Sequence, residues 1–207
     1  MRRPTSSTSM GSGSWGLMKI NQVLPVDWIS VDVSKEHENK ARDVRAERDR
    51  QYGNIFKEAK TDERWVGDLG EMVFDAWLKS ERVEGFVWIQ DDAAGKADFV
   101  LPLNIHVGVK TVKRKVAPRD GYTAQITARH AEEPIEQFFF MSYEISERRM
   151  WMLGGIDRAR FLKEARYYGA GEFVHKDYQI RPGHEIYNIE ISKLVRPKIW
   201  LLNCIRN

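Results

Sequence analysis

Residues 97–115 read ADFVLPLNIHVGVKTVKRK, two β-branched runs joined at Pro102-Leu103-Asn104. Short apolar runs broken by turn formers are strand signals, and FVWIQ (86–90) precedes them across the polar segment DDAAGK (91–96). The spacing predicts a three-stranded antiparallel meander. A tight turn centred on Leu103 and Asn104 would bring Asp98 opposite Val109 and Lys110 on neighbouring strands. Within 105–115, His106, Gly108, Lys110 and Val112 share one face and Val107, Val109, Thr111 and Lys113 the other. A lysine amid valines must surface or find an acid, because an unpaired buried ammonium is costly. Asp98 or Glu71 is the acid expected beside Lys110.

Upstream, RWVGDLGEMVFDAWL (64–78) places Val66, Leu69, Val73, Phe74, Trp77 and Leu78 at helical spacing, which predicts a helix capped by Thr61-Asp62 and running to about Leu78. Glu71 lies off the centre of that stripe. Gly67 and Gly70 each cost a helix about 1 kcal/mol, so they point to close approach by another backbone, the sheet carrying Asp98 and Lys110. Before it, SKEHENKARDVRAERDRQYGNIFKEAK (34–60) reads as an exposed helix, with Ser34 as N-cap and Glu38 nearby. Its Arg42, Arg45, Arg48 and Arg50 read as a solvated face laced with acid-base pairs, and no site is placed there.

Downstream, YTAQITA (122–128), EQFFFMSYEI (136–145) and MWMLGGI (150–156) read as strands and DRARFLKEARYYG (157–169) as a helix. NIEISKL and KIWLLN follow, with turns at Arg181-Pro182-Gly183 and Arg196-Pro197; Trp77 and Trp200 read as core. This order gives an α/β class, a central mixed β-sheet flanked by helices.

At 207 residues the chain suits one domain, expected over 18–207 after a disordered Ser/Thr/Gly-rich leader, 1–17. Hydrophobic residues at 42% support a sizeable core. The balance of 33 basic to 30 acidic residues is only +3, so a nucleic-acid partner would have to be met by a local basic patch. One cysteine, Cys204, excludes an internal disulfide and fits a reducing, cytoplasmic setting. The longest apolar runs are too short to cross a bilayer, so no membrane partner is expected.

Two carboxylates and a strand-borne lysine are a compact means of holding Mg²⁺ (or Mn²⁺) beside a phosphodiester. Asp98 would be the main metal ligand, Glu71 a ligand direct or through water, and the carbonyl of Val109 a further oxygen. Lys110 would orient the attacking water and offset phosphate charge. Lys113, Arg114, Lys115 and Arg119 continue from that strand as candidate contacts to a DNA backbone.

Taken together, GDLGE on a helix, an Asp opening a strand, a hairpin and VK on the next strand resemble the PD-(D/E)XK nuclease superfamily, particularly small phage and bacterial members, over residues 61–165. The resemblance implies a restriction-endonuclease-like fold and a metal-dependent nuclease acting on DNA, double-stranded as the usual substrate, with Glu71, Asp98 and Lys110 catalytic and Gln125 lining the site. It implies an intracellular setting, virus-encoded members included, and leaves a homodimer open. The sequence departs from the pattern at one point: the central acid falls on Gly108. His106, Asp91 and Asp92 are the candidate substitutes. The first rival is a cleavage-deficient nucleic-acid-binding protein of the same fold; the second is an interaction protein docking through helix 34–60.

Overall fold

The computed structural model describes residues 20–21, 27–53, 63–90, 96–119 and 121–206. Strands β1 (Ile20–Asn21) and β2 (Ile29–Asp32) precede helices α1 (Lys35–Tyr52) and α2 (Trp65–Ser80). Strands β3 (Val87–Trp88), β4 (Phe99–Leu101), β5 (Ile105–Arg114), β6 (Thr123–Thr127), β7 (Gln137–Glu144) and β8 (Arg149–Asp157) follow, then helix α3 (Arg158–Glu164). Next come β9 (Arg166–Tyr168), the hairpin of β10 (Phe173–His175) with β11 (Tyr178–Gln179), β12 (Ile186–Glu190) and helix α4 (Pro197–Ile205). The chain is mixed α/β, and none of its described helices is long and apolar enough to cross a membrane.

The meander is present as β3-β4-β5, inside a seven-stranded sheet ordered β1-β2-β8-β7-β5-β4-β3. β5 and β7 run parallel, which makes the sheet mixed. Its register differs by one residue from the expected one: Phe99 pairs with Val107 and Leu101 with Ile105, so Asp98 falls level with Gly108. The cause is a three-residue connection, Pro102–Asn104, in which Leu103 and Asn104 take left-handed φ of 64° and 61°.

β7 is central, and its run FFFM is buried on both faces, as a strand covered by two layers should be. Phe139 and Met141 face a layer made with α2 and Trp200. Phe74 anchors that layer, 4.9 Å between ring centroids from both Phe99 and Phe139. Phe138 and Phe140 face the opposite layer, against Phe161, 5.2 and 5.7 Å away. Burying each such ring contributes about 2 kcal/mol or more. α2 lies directly on β5 because Gly70 has no side chain: a Cβ there would stand 1.9 Å from the Thr111 hydroxyl oxygen. Gly67 has no such neighbour.

Three expectations are corrected. TAQIT does not join the main sheet; β6 pairs with β12 and β12 with β9 in a separate three-stranded sheet over the second face. The helix expected over 157–169 ends at Glu164, Ala165 turns extended, and 166–168 become β9. α1 starts as expected at Ser34, although the reciprocal cap is made with His37 rather than Glu38, and stops at Gly53, whose φ is 70°. Residues 54–60 and the expected cap Thr61-Asp62 lie outside the described residues.

Candidate functional site

α2 presents Asp68 and Glu71 one turn apart toward α1, both buried at 1% and 8% exposure. Arg45 and Arg48, one turn apart on α1, meet them. Arg45 Nε donates to Asp68 Oδ2 at 2.6 Å and Arg48 to Asp68 Oδ1 at 2.7 Å. Arg48 also binds both Glu71 oxygens, at 3.1 and 3.0 Å, and the Trp88 indole N–H donates to Glu71 Oε2 at 3.2 Å. Burial opposes the Arg48 charge, yet the bond and charge of Glu71, with Asp68 and Asp98, hold its pKa above the ordinary value. Burial pushes the Asp68 carboxyl up to about 6 against the pull of Arg45. The α1 arginines therefore do more than decorate a solvated face. Arg42, exposed, covers the Trp65 ring at 3.8 Å, and Arg50, also exposed, pairs with Glu47.

Asp98 precedes β4 and is locked at the strand end. Its N–H donates to the Val107 carbonyl at 2.9 Å, and its Oδ2 accepts from the Val109 N–H at 2.7 Å. The Val109 carbonyl lies on the same side of β5 as that N–H. Asp98 keeps some solvent contact, yet the protein around it pushes its carboxyl up to about 7. Burial dominates, Glu71 and Glu133 add to it, and Lys110 and the Val109 N–H pull the other way.

Lys110 approaches from the other face of the sheet. Thr111 points at α2, whereas Lys110 lies with Gly108, its Cε 3.4 Å from where a Cβ at 108 would stand. Among the described residues the carboxylate it pairs with is not Glu71 but Glu133, with Nζ 4.0 Å from Oε2. Glu133 is 8% exposed; Oε1 lies 2.7 Å from His130 Nδ1, and Oε2 is buried with no hydrogen-bond partner. Glu71 and Lys110 thus sit on opposite faces, and both charges act on Asp98, just before β4 starts.

The remaining expected residues are dispersed. His106 gives its N–H to Glu136 Oε2 at 2.7 Å and keeps Nδ1 3.0 Å from the same oxygen. Asp91 and Asp92 lie outside the described residues. Gln125 is level with Asn188 in the small sheet, and among the described residues no hydrogen bond joins it to Asp98, Glu71 or Lys110. Lys113 pairs with Glu63. Arg114 folds back on β6, donating to the Thr123 carbonyl at 2.6 Å and covering Tyr122 at 4.8 Å, where burial lowers its pKa. Lys115 and Arg119 are exposed.

Arg48, Asp68, His130 and Glu133 were missed. The matched one-turn spacings of Arg45/Arg48 and Asp68/Glu71 were a readable signal for the first two. Nothing in HAEEPIEQ signals Glu133, whose position depends on its loop folding onto β5.

Among the described residues no three His, Cys, Asp or Glu side chains gather so as to hold a metal ion. The donor chemistry nevertheless suits a hard cation: the Asp98 carboxylate is bonded at Val109, Glu133, whose Oε2 makes no hydrogen bond, faces the next residue, Lys110, and Mg²⁺ usually keeps several waters beside one or two carboxylates. Glu71 could join only by leaving Arg48. No family model matches the chain, and no curated protein matches it.

Proposed function

We propose that this chain is a metal-dependent nuclease hydrolysing phosphodiester bonds in DNA, on a restriction-endonuclease-like core of the PD-(D/E)XK type. The observation that carries this reading is Asp98. It is an acid fixed by the Val109 N–H at the start of β4, its carboxyl raised by burial and by two neighbouring carboxylates against the pull of the Lys110 charge. Titratable groups perturbed by burial and specific charge partners mark functional sites.

Mg²⁺ or Mn²⁺ at this place supplies Lewis-acid stabilisation of the phosphate and acidifies a coordinated water. Asp98 and the Val109 carbonyl would hold the ion, and Glu71 would act as a ligand once free of Arg48. Lys110, its ammonium short of a hydrogen bond to Glu133 at 4.0 Å, would donate to the attacking water or a phosphate oxygen. The exposed Lys115 and Arg119 suit the DNA backbone; Lys113 and Arg114 would first have to leave Glu63 and Thr123. Gln125 would line the substrate path, and a second copy of the chain would serve to cut both strands.

A cleavage-deficient DNA-binding protein is the second reading, favoured by Gly108 in place of the motif acid and by Glu71 having both oxygens engaged. Cleavage of linear and supercoiled DNA with Mg²⁺, Mn²⁺ or chelator, wild type against Lys110→Ala, separates the two. Metal-dependent cutting lost in the variant supports the nuclease. DNA binding that is indifferent to chelator, with no cutting, supports the binder.

A further inference from the structure

We propose that Glu133 is the second acidic ligand of the Asp98 site, supplying the carboxylate that position 108 lacks and held in place by His130. The inference rests on the metal-dependent reading above.

Position 108 is occupied from outside the strand by the end of the Ile135 side chain. A Cβ there would stand 2.8 Å from Ile135 Cδ1, so an acid would have to displace that side chain. The segment that fills the gap also brings in another acid, since Glu133 lies two residues before Ile135. The segment is pinned at several points. The Glu133 carbonyl accepts from the Ile135 N–H at 2.8 Å, the Glu136 N–H donates to the His106 carbonyl at 3.0 Å, and Glu136 Oε2 takes the His106 N–H. Glu133 is thereby fixed beside Lys110 on the face of β5 that carries Gly108.

Its two oxygens differ. Oε1 has His130 at 2.7 Å, whereas Oε2 is buried, without a hydrogen bond, and 4.0 Å from Lys110 Nζ. That gap is too long for a hydrogen bond, so a counterion role for Lys110 alone would leave Oε2 unsatisfied. A divalent cation with its waters, held between Glu133 and Asp98, satisfies it. Asp98 is bonded to the Val109 N–H and Glu133 faces Lys110, so the two acids meet β5 at adjacent residues.

Mn²⁺ binding to the full chain, followed by loss of the free-ion signal in electron paramagnetic resonance, tests this. Glu133→Gln should weaken binding by about tenfold or more, Asp98→Asn likewise, His130→Gln less, and Glu47→Gln on the exposed face of α1 not at all. A folded Glu133→Gln variant that binds Mn²⁺ like wild type, while Asp98→Asn does not, overturns the role of Glu133 and leaves the nuclease reading standing. No Mn²⁺ bound by wild type overturns both. If Glu133→Gln does not fold, Glu133→Asp decides: retained charge on a shorter arm lowers the affinity of a true ligand and leaves it unchanged for a mere counterion.

Discussion

On the α2 side of the main sheet, Arg48 makes three hydrogen bonds to Asp68 and Glu71, Arg45 makes another, and Trp88 completes the shell. On the opposite side, Lys110 stands 4.0 Å from Glu133, whose inner oxygen has no hydrogen-bond partner. Both sides hold buried charge, but only the first is saturated. A saturated buried network fastens elements together, here α1 to α2, and removing one member leaves the others uncompensated. An undersatisfied one leaves room for a ligand. On the proposed reading, the first cluster serves chiefly stability and the second chemistry.

The strongest way to break that comparison is at the second cluster. Asp98→Ala and Lys110→Ala should each lower DNA cleavage by about 10²–10⁴-fold while the protein stays folded. Near-wild-type rates in a cleavage time course for both would dissolve the site.

Stability should respond in the reverse order. Arg48→Ala leaves Glu71 and part of Asp68 uncompensated and should cost about 3–5 kcal/mol, whereas Glu133→Gln, which removes a charge whose inner oxygen makes no hydrogen bond, should cost less than about 1 kcal/mol. Urea unfolding of the two variants reads the contrast directly. Equal losses would mean that both clusters are structural.

The pH dependence sharpens it. Because the folded Asp98 carboxyl is raised to about 7, the folded chain keeps a proton that the unfolded chain releases near its ordinary value of 3.8. Its contribution to stability is therefore present at low pH, falls as pH rises from about 4 to about 7, and levels off above. Asp98→Asn should melt higher than wild type at pH 8 and lose that slope. Thermal scans between pH 4 and pH 8 that leave the difference constant would contradict the raised carboxyl.

The smallest effect belongs to the surface. Lys115 lies five residues beyond Lys110, roughly 17 Å along an ideal strand. Lys115→Ala and Arg119→Ala should each reduce the salt slope of DNA binding by about one, in titrations at several ionic strengths. Lys113→Ala should do less, since Glu63 already takes its charge.

Much of the architecture was legible. Val66, Leu69, Phe74 and Trp77 at helical spacing became the buried face of α2, and the runs at 97–115 became β4 and β5. Helix spacing and strand alternation are local, so burial could be inferred from them before any partner was known. Even the close approach at Gly70 was readable. The error at 157–169 arose because EARYY (164–168) carries no local helix stop before Gly169; pairing of β9 with β12 decided it. The one-residue register error arose from two non-glycine residues taking left-handed φ, which residue type alone does not foretell.

At the site, the sequence by itself determined which residues carry charge: Glu71 on a helix, Asp98 at a strand start, Lys110 among valines and no acid at 108. It also determined, through strand alternation, that Lys110 and Gly108 share a face. Only the tertiary structure decided which charges meet. Arg48 captured Glu71 because α1 packs across α2, and Glu133 reached Lys110 because its loop is pinned to β5 through His106 and Glu136. Periodicity is a property of neighbouring residues, whereas an ion pair between residues 23 or more positions apart is made by packing, and no local pattern encodes it.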